Sequence, residues 1–80
     1  MDTLPKYLVM LHDDVLKEDV DAITTGLVKA GGQITSEYSS TSNTFGALIT
    51  NDYKQVLDDR SHPLGSKVMK IELDTLVRVH

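Results

Sequence analysis

The stretch that decides the fold reads QITSEYSSTSNTFGALIT and covers residues 33–50. The patterns at its two ends predict two β-strands. Each strand carries apolar side chains on one face, namely Ile34 and Tyr38 on the first and Phe45, Ala47 and Ile49 on the second. The polar segment TSN at 41–43 connects them, and so short a connection indicates an antiparallel hairpin.

An amphipathic helix is predicted before this hairpin, in residues 13–32. Its apolar residues step by four, three, four and three positions and are Leu16, Val20, Ile23, Leu27 and Ala30. We expect Asp13 or Asp14 to cap its start, because carboxylates accept hydrogen bonds from the first N–H groups of a helix. The pair Gly31-Gly32 is expected to end it in the left-handed conformation.

A second, shorter helix is predicted after the hairpin, in residues 51–60. Thr50 or Asn51 is suited to cap its start. The side chains expected to face the core are Tyr53, Val56 and Leu57.

The first and last strands of the chain are predicted at residues 6–13 and 67–74, which completes the order β-α-β-β-α-β. In a chain of this size that order predicts an α+β fold of the ferredoxin-like type. Such a fold has a four-stranded antiparallel sheet with both helices on one face. Nothing else in the chain is then left to cover the other face.

That open face should be partly apolar. If the core contains Tyr7, Val9, Leu11, Phe45 and Ile49, the alternation of side chains places Leu8, Met10 and Leu48 on the opposite face. An exposed apolar sheet face of this kind usually marks a docking surface. The alternative is a partly solvated sheet with scattered apolar residues, which is common.

Length and composition exclude several classes of protein. The chain has 80 residues, so we expect a single domain over residues 1–80. It has no cysteine, no recognisable secretory signal and no apolar stretch of membrane-spanning length, which favours a cytoplasmic protein. The net charge is −4 and the eight lysines and arginines are scattered, so neither nucleic acid nor a membrane is expected as a partner.

No catalytic or metal-binding pattern stands out among the polar residues. His12, His62 and His80 lack a spacing suited to a shared metal, so neither a metal nor another cofactor is expected. No serine lies in a nucleophile elbow and no glycine-rich loop precedes a helix, so an enzyme is not expected. The acidic charge also disfavours an RNA-recognition domain, and a metal chaperone would need paired cysteines.

Four stretches resemble the propeptides of subtilisin-type serine proteases. They read KYLVMLHDDV (6–15), KAGGQITSEY (29–38), NTFGALI (43–49) and IELD (71–74). The chain looks closer still to free-standing fungal inhibitors of that family, of the proteinase A and proteinase B types, from about residue 6 to residue 80. It departs from them at Thr44, where relatives commonly have glycine, and at Leu16, where a helix-capping serine is often found.

The resemblance implies how such a protein would inhibit. In that family the open sheet face packs on two surface helices of the protease, and a Glu-x-Asp pair, matched here by Glu72 and Asp74, caps their N-termini. Residues 75–80 would then form an extended inhibitory tail that lies in the active-site cleft like a cleaved product. The tail residues implied to occupy the fourth to first specificity pockets are Val77, Arg78, Val79 and His80, the last being an unusual first-pocket residue.

These expectations lead to two hypotheses. The first is a proteinaceous inhibitor of subtilisin-type serine proteases, monomeric when unbound, and the resemblance implies that such a domain can also chaperone the folding of the protease. The alternative is a ferredoxin-like regulatory or ligand-binding module that dimerises through the same sheet face, with the tail incidental.

Overall fold

The computed structural model describes residues 4–74, and within them the predicted alternation of strands and helices is present. The chain has an α+β fold with a four-stranded antiparallel sheet and two α-helices. In chain order the elements are β1 (Lys6–Leu11), α1 (Lys17–Lys29), β2 (Gln33–Ser39), β3 (Thr44–Leu48), α2 (Asn51–Asp58), a short 3-10 helix (Gly65–Lys67) and β4 (Val68–Leu73).

The strands lie in the order β2-β3-β1-β4, so β3 and β1 occupy the centre of the sheet and β2 and β4 its edges. Every neighbouring pair is antiparallel. The predicted hairpin is confirmed, since β2 and β3 pair directly. At the centre of the sheet, Val9 lies opposite Phe45 on one side and Ile71 on the other.

Three register shifts interrupt the edge pairings, and two of them lie in β2–β3, the second between Ser36 and Ser39. The β1–β4 register shifts between Met10 and Leu11. The β2–β3 register shifts after Ile34, and both Thr35 and Ser36 then approach Gly46. A Cβ atom at Gly46 would lie 3.1 Å from the Thr35 hydroxyl oxygen and 3.3 Å from Ser36 Cβ, so the absence of a side chain allows this close approach.

A single hydrophobic core joins both helices to one face of the sheet. Alternate strand residues point to the same face, so the buried residues of β1 and β3 enter the core together. The buried side chains are Val9, Leu11, Val20, Ile23, Leu27, Phe45, Ala47, Ile49, Tyr53, Leu57 and Val68. Tyr7, Ile34 and Tyr38 pack against them, as predicted from the alternation.

The start of α1 differs from the prediction. The N-cap is Leu16, with extended backbone, and its N–H donates to the Asp19 carboxylate at 2.9 Å, so the expectation that Asp13 or Asp14 caps the helix was wrong. Asp13 instead accepts a hydrogen bond from the Asn43 side-chain amide at 2.7 Å. Because Leu16 precedes the helix, its side chain is 58% exposed and does not join the core.

The end of α1 has a glycine in the left-handed conformation, as predicted. Gly31 has a φ of 103°, in the left-handed region, and its N–H donates to the Val28 carbonyl at 3.0 Å. The helix therefore stops one residue earlier than its apolar spacing suggested. Ala30, the last apolar position of the predicted helix, becomes the exposed C-cap and does not join the core.

Helix α2 begins as predicted and ties the two helices together. The Thr50 hydroxyl accepts a hydrogen bond from the Tyr53 N–H at 3.3 Å, which caps the helix. Tyr53 and Leu57 are buried, while Val56 is half-buried. The Tyr53 hydroxyl donates to the Ile23 carbonyl of α1 at 2.7 Å, and this buried bond joins the helices across the core.

Replacement of Tyr53 by phenylalanine should therefore lower the free energy of unfolding by about 1 kcal/mol, because it removes one buried hydrogen bond and keeps the ring. Urea unfolding measures the change. Tyr7→Phe is the matched control, since the Tyr7 hydroxyl makes no hydrogen bond within residues 4–74. Equal losses in the two variants would contradict the assigned role of the Tyr53 bond.

Alkaline pH should weaken this contribution. Burial raises the pKa of Tyr53 above its usual 10.0, because the protein interior disfavours the phenolate. The stabilisation is thus fully present below pH 10.0 and is lost as the pH rises through the folded-state pKa. The stability difference between the wild type and Tyr53→Phe should shrink over that range in urea titrations at successive pH values. A difference that stays constant above the usual tyrosine pKa would contradict this.

Candidate functional site

The candidate site is the open sheet face, defined as the face opposite the core on β1, β3 and β4. The strand registers set its rows. Leu8 lies between Gly46 and Glu72, and Met10 lies between Thr44 and Lys70. A third row contains Lys6 beside Leu48, and it is extended by the Asp74 N–H, which donates to the Lys6 carbonyl at 2.8 Å.

The apolar part of this face contains the three predicted docking residues. Leu8, Met10 and Leu48 are each half-buried, whereas Val9, Leu11 and Phe45 on the other face are buried. The structure thus places the three side chains on one face, where they retain contact with solvent. The apolar area ends at Gly46, where the hydroxyl-bearing side chains of Thr35 and Ser36 approach from β2.

The two carboxylates of the Glu-x-Asp pair lie on this same face, because residues two apart on a strand share a side. Each forms an ion pair with a lysine of the chain. Glu72 pairs with Lys70 at 3.0 Å and is 56% exposed. Asp74 pairs with Lys6 at 3.5 Å and is only 12% exposed. The carboxylates are therefore close in sequence but differ in how readily a partner can reach them.

The two lysines were not singled out from the sequence. The pairing of Lys70 with Glu72 could have been predicted from the sequence, since two strand residues that are two positions apart lie side by side on the same face. The pairing of Lys6 with Asp74 could not have been predicted in this way, because it depends on the register between the first and last strands. The predicted tail residues Val77, Arg78, Val79 and His80, and the whole segment 75–80, lie outside the described residues.

A cleft of about 870 Å³ lies between α1 and the edge strand β2, and sequence reasoning did not identify it. At one end the Tyr38 hydroxyl donates to the Asn43 side-chain oxygen at 3.0 Å, and the Asn43 amide donates to Asp13. Asn43 has a φ of 57°, which asparagine tolerates better than most residues. These bonds attach the hairpin turn to the loop before α1, a structural role.

The Asp59 carboxylate also has a structural role. Two hydrogen bonds from Ser61, from its hydroxyl at 2.6 Å and its N–H at 3.0 Å, lower the pKa of Asp59. They fix the loop that follows α2. Within residues 4–74 no three histidine, cysteine or carboxylate side chains gather as a metal site, and no helix there is long and apolar enough to cross a membrane.

Comparison with known proteins does not add to these observations. No protein-family model matches the chain, and no curated protein matches it. The candidate site is therefore supported by its geometry alone, which is apolar at the centre, of mixed charge along β4 and polar along β2.

The same substitution on the two faces of β1 tests whether the open face is uncovered. Leu11→Thr should cost about 3 kcal/mol of unfolding free energy, because it leaves a cavity and buries a hydroxyl. Leu8→Thr should cost about 1 kcal/mol, since Leu8 is half-buried and water can reach the new hydroxyl. Denaturant unfolding compares them. Losses of similar size would mean that another part of the chain covers Leu8.

Proposed function

We propose that this protein inhibits subtilisin-type serine proteases by docking its open sheet face on the enzyme and placing the segment after β4 in the active site. The observation that carries the proposal is the gathering of Leu8, Met10 and Leu48 with Glu72 and Asp74 on one face of the sheet. The resemblance to protease propeptides assigns a role to each part of that face. The proposal gives this protein no catalytic activity of its own.

The same proposal includes the finer fold class, a ferredoxin-like arrangement. The strand order supports it. Because each neighbouring pair is antiparallel, β1 and β2 run parallel with β3 between them, and α1 connects them. A split β-α-β unit of the ferredoxin-like motif has the same arrangement, which supports this part of the proposal.

The sheet face would supply contact area and the carboxylates would supply orientation. The N-terminus of a helix carries partial positive charge and N–H groups without partners in the helix, so it attracts a carboxylate. Such a contact contributes about 0.3–1 kcal/mol when exposed and about 2 kcal/mol when partly buried. Glu72 is the more exposed of the two carboxylates and can reach an external helix without a change in its strand.

The segment 75–80 would supply the contacts in the active site. An extended chain can join the substrate-binding strands of a protease through backbone hydrogen bonds, with alternate side chains entering the specificity pockets. In this proposal Val77, Arg78, Val79 and His80 occupy those pockets in the manner of a product. The large β-branched share of this segment suits an extended conformation.

The affinity of a useful inhibitor requires both parts. A nanomolar complex needs about −12 kcal/mol, and typical complexes of this kind bury about 1,600 Å² in total. Six residues in a cleft cover only a fraction of that area, so the sheet face has to contribute. A surface complementary to the native protease can also template its folding, which is the basis for a chaperone role.

Inhibition of a subtilisin by the full chain, compared with a chain that ends at Asp74, tests the proposal. We expect tight inhibition by the full chain and a loss of about a hundredfold on truncation, equivalent to about 2.7 kcal/mol of tail contacts. Thermal unfolding of both chains verifies that truncation leaves the domain folded.

Other outcomes point elsewhere. Equal inhibition by the two chains would keep the protease as partner and assign the binding energy to the sheet face alone. If neither chain inhibits, the proposal fails. Size-exclusion chromatography then tests the alternative, since a dimerising regulatory module would elute as a dimer and the inhibitor as a monomer.

A further inference from the structure

The cleft between α1 and β2 has an apolar floor that water can reach. Val15, Ile34 and Tyr38 pack against the edge of the core, and each is only half-buried. Val20 of α1 lines the same cleft. At about 870 Å³ the cleft has the size of a small-molecule site, and such sites are lined mainly by apolar side chains with a few polar groups. The floor therefore suits the apolar body of a small organic molecule.

The rim of the cleft is acidic. Its charged side chains are the three carboxylates of Asp13, Asp21 and Glu37 and the single ammonium group of Lys17. Lys17 pairs with Asp21 at 3.0 Å, so the one cation of the rim already has a carboxylate partner. The negative charges of Asp13 and Glu37 are then left unmatched.

These two carboxylates lie at the same end of the cleft. The Tyr38 hydroxyl donates to Asn43, and the Asn43 amide donates to Asp13 at 2.7 Å, which places Asp13 near Tyr38. Glu37 is the neighbour of Tyr38 along β2 and is exposed. Among residues 4–74, Glu37 forms no ion pair, and the only hydrogen-bond partner of the Asp13 carboxylate is the neutral Asn43 amide. A cation bound at this end would therefore meet two carboxylates that no lysine or arginine of the described chain neutralises.

A register shift brings Glu37 and Tyr38 to the same cleft. Neighbouring residues of a regular strand point to opposite faces. The β2–β3 register shifts between Ser36 and Ser39, and both Glu37 and Tyr38 line the cleft. Irregularities of this kind re-aim side chains and are common beside functional sites. Here the shift adds a carboxylate to the rim next to the aromatic residue of the floor.

We propose that this cleft binds a small organic cation, one that carries an ammonium group on an apolar or aromatic body. The body displaces water from Val15, Ile34 and Tyr38, and the ammonium group lies between Asp13 and Glu37, where its charge is complementary to the rim. This activity goes beyond the proposed function and does not depend on it. The cleft lies on the helix side of the sheet and the open sheet face on the other, so both can be occupied together.

Titration of the isotope-labelled full chain with tryptamine, followed by NMR, tests the proposal. Tryptamine carries an ammonium group on an indole. Tryptophol has the same body with a neutral hydroxyl, and indolepropionate carries a carboxylate, so the three probes differ mainly in charge. We expect tryptamine to shift the amide signals of α1 and β2 around the cleft. It should bind about fivefold more tightly than tryptophol, as an exposed charge pair implies, and indolepropionate should bind more weakly than either.

Three variants test the assigned roles. Glu37→Gln should weaken tryptamine binding about fivefold and leave tryptophol binding unchanged, because it removes a charge and keeps the shape of the side chain. Glu18→Gln is the matched control, since Glu18 is an exposed carboxylate of α1 that does not line the cleft, and it should bind tryptamine like the wild type. Ile34→Thr should weaken the binding of both probes, because it removes apolar area from the floor. Thermal unfolding of every variant verifies that the domain is folded.

Four outcomes would overturn the proposal. They are equal binding of tryptophol and tryptamine, equal effects of Glu37→Gln and Glu18→Gln, signal shifts confined to the open sheet face, and no shift at millimolar tryptamine. The titration needs no protease. Its failure would therefore leave the proposed inhibition as it stands, and a chain that does not inhibit could still bind the cation.

Discussion

The structure depends on a constraint at β1, one of the two central strands, which has apolar residues on both faces. Val9 and Leu11 point into the core, and the pleat then obliges Leu8 and Met10 to point the other way. Both helices contribute their buried residues to the core on the first face. An apolar surface on the second face therefore follows directly from how the core is filled.

The edges of the sheet complement that surface. Strand β2 presents mainly polar side chains, and β4 carries the charged pair Lys70 and Glu72, so polar and charged groups flank the apolar centre. Charges on edge strands discourage unspecific pairing with other sheets. On this face they would also favour one orientation of a docked protein, since it would have to match the apolar centre and the charged side together.

The hairpin and most of the core could be predicted because they depend on local periodicity. Phe45, Ala47 and Ile49 alternate along β3, and Thr50 is a strong capping residue directly before α2. The start of α1 could not be predicted, because Asp13 bonds to Asn43, thirty residues away, and so is not the cap. The Lys6–Asp74 pair was missed for the same reason. It exists only through the register of two strands that lie far apart in the chain.

The placement of β1 between β3 and β4 also has a consequence for the order of assembly. Strand β1 comes first in the chain, but both of its neighbours in the sheet come later. Much of the sheet is therefore built from contacts between residues that are distant in the sequence, and such contacts slow folding. The hairpin β2–β3 can form locally, while β4 has to close over large loops. The charged residues of β4 would accordingly join the sheet in one of the last steps. A partly folded chain would then expose the apolar centre without its charged border, a state prone to aggregation.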